Sequence, residues 1–271
     1  MAEPTRPLEF YGHPTDLPPP SETDHCPFRG DVCVKQRKSD PAQTIGSCIV
    51  GVAGKPQLIC PVRMRETPQV FHDVAHLLQD GVVDIIVIPE IGITGFGNVD
   101  FTVAGLDRHG QPLDFVGLEF QTNDTTNSGG IWDARQDFFA GRIGDAYRYG
   151  LNWKMTAKLV LKQTLDKASV FSKWNKKYVW AMQDTLLDRI RGYADMSDFH
   201  PEQADDEVFF YAYEVARGRD RYGLRLVERV GSNLKGVAKA NTPRDVSDEV
   251  LGTFQRVVER EARAPTRSFR L

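Results

Sequence analysis

Beyond Cys60 the 271-residue chain has no cysteine: Cys26, Cys33, Cys48 and Cys60 all fall in its first quarter. It also lacks a run of eighteen apolar residues, which excludes an ordinary transmembrane helix and any membrane partner of that kind. Excess positive charge is missing too. Lys and Arg number 34 against 37 Asp and Glu, a formal net charge of −3, so any nucleic-acid role must rest on local charge. The N-terminal residues have no apolar segment resembling a secretory signal, and a cytoplasmic location is expected.

In a reducing compartment four cysteines are not expected to pair as disulfides. Their crowding leaves two readings, four unrelated buried thiols or thiolates around one tetrahedral metal, iron or zinc. The gaps of six, fourteen and eleven residues are not those of a paired CxxC ribbon.

Three segments are read along the chain. Residues 1–25, with "HPTDLPPPSETD", read as an extended arm. Residues 26–66 form the cysteine segment, too poor in apolar residues to hold together without metal or a neighbour. Residues 67–271 read as an α/β (α+β) domain, a central sheet of five or six strands with helices packed on it. Within it "PQVFHDVAHLLQD" has helical spacing, and "VVDIIVIPEIGI" reads as a buried strand. His72 and His76 lie four apart on that first helix with Asp73, not the glutamate of a metalloprotease motif, between them; metal ligands in principle, they read as exposed or core-edge.

Two further strands, "NVDFTVAGLD" and "DFVGLEFQT", each place an acid in an apolar run: Asp100 and Glu119. Side chains on a strand alternate faces, so Gly117, Glu119 and Gln121 share one face, opposite Val116, Leu118 and Phe120. If the strands pair, Asp100, Glu119 and Gln121 converge, with Gly95, Gly97 and Gly117 leaving room beside them. Converging carboxylates repel, and a divalent cation is the usual remedy; oxygen ligands favour magnesium, completed by substrate phosphates. The alternative is an edge strand with two solvated acids.

An Asp followed about twenty residues later by Glu-x-Gln resembles the PD-(D/E)xK nuclease core, with Gln121 at the lysine position. Taken with "HCPF", "ICPVRMRE", "PEIG…GNVDFTVAGLD…DFVGLEFQ" and "YGLNWKMTAKLVLKQ", the chain is similar to the NotI family of type II restriction endonucleases over roughly residues 25–190. That resemblance implies a restriction-endonuclease-like mixed sheet flanked by helices and a small N-terminal metal-binding segment. It implies catalytic residues Asp100, Glu119, Gln121 and Glu90, with magnesium on Asp100 and Glu119, and structural iron or zinc on the four cysteines. It further implies a homodimer acting on double-stranded DNA, with a cognate DNA methyltransferase as genetic partner. Expected activity is magnesium-dependent cleavage at a GC-rich palindrome, leaving 5′-phosphate ends. A nicking or repair nuclease on the same core, or a catalytically silent DNA-binding module, are the alternatives.

An amide at position 121 orients water or phosphate but supplies no charge, and Lys154 or Lys158 is the expected source of it. Lys154, Lys158 and Lys162 form a helical stripe, read either as phosphate contacts or as a solvated face. Base-edge readers are sought in "QTNDTTNSGGIWDARQ", including Arg135 and Gln136, and in Arg29, Lys35, Gln36 and Arg37 of the cysteine segment. Arg263, Arg267 and Arg270 read as an arm on DNA or a fraying tail, with the tail favoured.

Overall fold

The computed structural model describes residues 5–21, 24–37, 40–242 and 248–263. Residues 1–241 form one compact unit and 242–271 a second. In the first unit the chain opens with β1 (Pro7–Phe10), β2 (His13–Pro14), β3 (His25–Cys26), β4 (Asp31–Val32), β5 (Gln36–Arg37), β6 (Asp40–Thr44), β7 (Ser47–Val52) and β8 (Lys55–Leu58). A 3-10 turn (Pro61–Arg65) and α1 (Gln69–Ala75) lead into β9 (Asp84–Ile93), β10 (Gly97–Leu106) and β11 (Pro112–Gln121). Then come β12 (Thr125–Thr126), α2 (Ser128–Phe139), β13 (Gly150–Leu151), α3 (Trp153–Lys173), β14 (Lys177–Gln183) and α4 (Asp184–Tyr193). The unit closes with β15 (His200–Pro201), β16 (Val208–Arg217), β17 (Tyr222–Ser232) and α5 (Leu234–Asn241). The second unit holds the amphipathic α6 (Asp248–Arg263), where Phe254, Val257 and Val258 are exposed.

The main sheet is mixed and seven-stranded, in the order β15-β17-β16-β14-β11-β10-β9. β9, β10 and β11 form an antiparallel meander, whereas β11, β14 and β16 run parallel. Parallel neighbours need long crossovers, which here carry α3 and α4. Strand alternation then separates two cores. Tyr178, Trp180 and Met182 of β14 pack with Val160 and Leu161 of α3, Leu186 of α4 and Val237 of α5. On the opposite face Val179, Leu118 and Phe209 pack with Ile49, Leu58, Met64 and Val74. Each such side chain, fully buried, contributes roughly 1.5–3 kcal/mol.

That second face is covered by the four-stranded sheet β2-β1-β7-β8, so Pro7–Phe10 and His13–Pro14 are strands where an extended arm was expected. The reason is covalently distant pairing: β1 runs antiparallel to β7, and Glu9 of β1 is fully buried. Arg63 donates to Glu9 Oε1 at 2.8 Å, to Glu66 Oε2 at 2.5 Å and to the Tyr222 carbonyl at 2.6 Å. Burial pushes the Glu9 carboxyl up, against the pull of Arg63. At the other end of the interface, Gln183 accepts the Leu58 N–H at 2.7 Å and donates to the Pro56 carbonyl at 2.8 Å.

The isoleucine-rich β9 is the edge strand and is exposed, not buried as expected. Ile85 and Val87 are 40% and 38% exposed, Ile86 and Ile88 39% and 37%, so along this stretch neither covering layer reaches it on either face; at its end Ile93 packs against the α3-facing core. Among the described residues no helix is long and apolar enough to cross a membrane.

Candidate active site

The β10–β11 register pairs Phe101 with Leu118, so the next position sets Asp100 against Glu119. Both acids line one cavity of about 410 Å³, together with Gln121, Trp180 and Lys167. Asp100 Oδ2 accepts the Phe120 N–H at 2.9 Å. Glu119 is 3% exposed, and its Oε1 accepts from the Tyr178 hydroxyl at 3.1 Å and from Lys167 Nζ in an ion pair. Among the described residues, no hydrogen bond reaches Asp100 Oδ1 or Glu119 Oε2. Each carboxylate therefore has one oxygen fixed and one available.

Burial, reinforced by the charge of Asp100, lifts the Glu119 carboxyl to about 7, while Lys167 and Tyr178 pull the other way. Burial, and then Glu119, hold the Tyr178 hydroxyl well above its ordinary range, so Tyr178 is a donor throughout. Gln121 turns its amide Nε2 to the Thr122 carbonyl at 2.9 Å.

Lys167 is the residue the sequence reading missed. Lys154, Lys158 and Lys162 are exposed on α3, and none lines the cavity; Lys162 pairs with Asp166 at 2.8 Å. The charge beside the acids comes from Lys167 in place of Lys154 or Lys158. The signal was available: Val160, Thr164, Lys167 and Phe171 follow helical spacing, so this lysine sits in the buried stripe of α3.

Glu90 falls opposite Asp100 in the β9–β10 register, between the pairs Val99–Ile91 and Phe101–Pro89. It is exposed, has a left-handed φ of 53°, and does not line the cavity. The room expected beside Gly117 is taken by Phe171, whose ring lies where a Cβ would stand, 2.4 Å away.

All four cysteines are buried, and none is paired in a disulfide. Cys33 lies within the electrostatic reach of Cys26 and Cys60 and is pushed up by its burial. A hydrogen bond from Cys48 draws Cys60 down to about 6 and holds Cys48 up. Lys35 donates to the Ile59 carbonyl at 2.8 Å beside them. Among the described residues, no three His, Cys, Asp or Glu side chains are arranged as a metal-holding group.

Of the base-reading candidates, Lys35 and Gln36 meet Asn123, Asp124, Thr125 and Ser128 in a second cleft of about 550 Å³. Pro61 lines both that cleft and the acid cavity. Arg135 is instead tied down, donating to Tyr11 Oη at 2.9 Å and to Asp24 at 3.0 Å, with its guanidinium among the Trp132 and Phe139 rings. Gln136 and Arg29 are exposed; the side chains of Arg37 and Arg263, and all of Arg267 and Arg270, lie outside the described residues. His72 and His76 are exposed, and His76 contacts Glu202.

No protein-family model matches the chain. A search of curated proteins returns no match.

Proposed function

We propose that the chain is a type II site-specific endonuclease that hydrolyses double-stranded DNA with magnesium as cofactor. The observation that carries this reading is the meeting of Asp100 and Glu119 in one cavity beside a buried lysine. Two carboxylates, each with one available oxygen, suit a hard divalent cation that keeps water and takes its remaining ligands from a phosphate. When bound by Asp100 and Glu119, magnesium supplies Lewis-acid polarisation of the phosphodiester and a more acidic water.

The chain's own residues do the positioning. Tyr178 and Lys167 hold Glu119 through Oε1, and the Phe120 N–H holds Asp100 through Oδ2. Gln121 orients the attacking water or a phosphate oxygen. Hydrolysis is in-line: the water oxygen bonds to phosphorus as the bond to the 3′-oxygen breaks, leaving a 5′-phosphate and a 3′-hydroxyl.

The same reading includes iron or zinc on the four buried thiols, whose sulfur donor chemistry suits either metal. It includes a homodimer, cutting one strand per subunit, and a cognate methyltransferase protecting the site. The test is digestion of a sequence-diverse panel of plasmid and phage DNA with magnesium and with EDTA, followed by sequencing of the ends. Discrete fragments sharing a terminal palindrome support the reading; metal-independent or random ends overturn it.

A further inference from the structure

The cavity offers hydrogen-bond donors that the protein leaves unspent. An ammonium has three N–H donors. Lys167 uses one on Glu119 Oε1 and one on the Asn98 carbonyl at 2.6 Å, and nothing among the described residues takes the third. The Trp180 indole Nε1 has no partner among the described residues, although Trp180 is 1% exposed. Trp180 is the register neighbour of Glu119 on the adjoining strand, and both Trp180 and Lys167 line the acid cavity. Buried donors without acceptors are costly, and a ligand oxygen satisfies them.

Charge points the same way. Two carboxylates and one divalent cation sum to zero. Adding Lys167 leaves one net positive charge facing a phosphodiester whose negative charge grows as water attacks. No strand residue in the cavity supplies it, because position 121 is an amide.

We infer that Lys167 is the cationic catalytic residue of this site: its ammonium, reaching the acids from the middle of α3, contacts the scissile phosphate, with the Trp180 N–H as a second donor. The inference rests on the phosphodiesterase reading above. Lys167 lies on a rigid, 21-residue helix and is held by Glu119 and Asn98, so the charge is positioned before substrate arrives.

The experiment compares wild type, Lys167→Met, Lys167→Arg and the double variant Lys167→Met/Gln121→Lys. Each is assayed for plasmid cleavage with magnesium, for binding to a labelled duplex in EDTA, and for thermal melting. Lys167→Met is expected to lose about 100-fold to 1,000-fold in kcat, with KM changed far less. Its metal-free binding should lose about 0.9 from the salt slope, the share of one phosphate contact. The double variant, which returns a lysine to the cavity from the strand, should recover at least about ten-fold over Lys167→Met. A counter-ion needed only for folding would not be rescued from position 121.

Lys167→Met cutting within about three-fold of wild type overturns the inference. So does a folded double variant no faster than a folded Lys167→Met. If Lys167→Met melts early, Lys167→Gln, which keeps a donor for the Asn98 carbonyl, replaces it under the same criteria. Wild type that cuts no DNA overturns the phosphodiesterase reading itself, a result separable from either of these.

Discussion

The Tyr178 hydroxyl donates to Glu119 Oε1 at 3.1 Å, across neighbouring parallel strands and inside the α3-facing core. This bond and the Lys167 ion pair favour the carboxylate, yet burial and Asp100 outweigh them and the group sits near 7.

An acid lifted from 4.5 to about 7 by folding binds more protons in the native state, so its stabilising contribution is full below 4.5 and is lost as pH rises through 7. Metal-free wild type should therefore lose stability relative to Glu119→Gln between pH 5 and pH 8. Urea unfolding of both proteins at the two pH values measures the difference; parallel pH dependence would contradict the assignment.

Arg63 is 1% exposed and bridges Glu9, Glu66 and the Tyr222 carbonyl. Removing it strands a buried carboxylate, and Arg63→Ala should cost about 3–5 kcal/mol. The loss should shrink in Arg63→Met/Glu9→Leu, where the fully buried carboxylate goes with its partner and Glu66 keeps Arg221 at 3.9 Å. Chemical denaturation of both variants checks this.

Gly117 leaves space for the Phe171 ring. Gly117→Ala should destabilise by about 1–3 kcal/mol through overpacking, and Phe171→Leu in the same chain should return part of it. If Gly117→Ala melts with wild type, the ring is not seated as described.

For the cysteines, elemental analysis of protein purified without added metal should find iron or zinc bound. Cys48→Ser should lose that metal and melt earlier, and a chelator should lower the melting temperature of wild type but not of Cys48→Ser. Full metal content in Cys48→Ser would remove this residue from the set.

Much of the site was legible because strand alternation is a local rule. The period of two in "DFVGLEFQT" sends Glu119 and Gln121 to one face whatever surrounds them, and the structure has both lining the cavity with Asp100. Lys167 was legible in principle, but its stripe reads as core, and only tertiary packing brings it to Glu119. The aliphatic run at Asp84–Ile93 identified a strand correctly, yet its burial depends on what covers it, a non-local property that composition does not encode. Pairing of Pro7–Phe10 with Ser47–Val52 joins residues some forty positions apart, beyond any local periodicity.

Gln183 is the last residue of β14, and its side-chain amide continues the strand's work, bonding to the backbone at Pro56 and Leu58 as another strand would. Arg63 fastens the same layer at Tyr222. A minimal catalytic fragment starting near residue 67 is therefore not obtainable by trimming: it would lift a lid from Leu118, Val179 and Phe209 and leave Gln183 with nothing to hold. A protease given the native protein should accordingly spare the segment from Ser47 to Arg65, although it lies far from the acids in sequence.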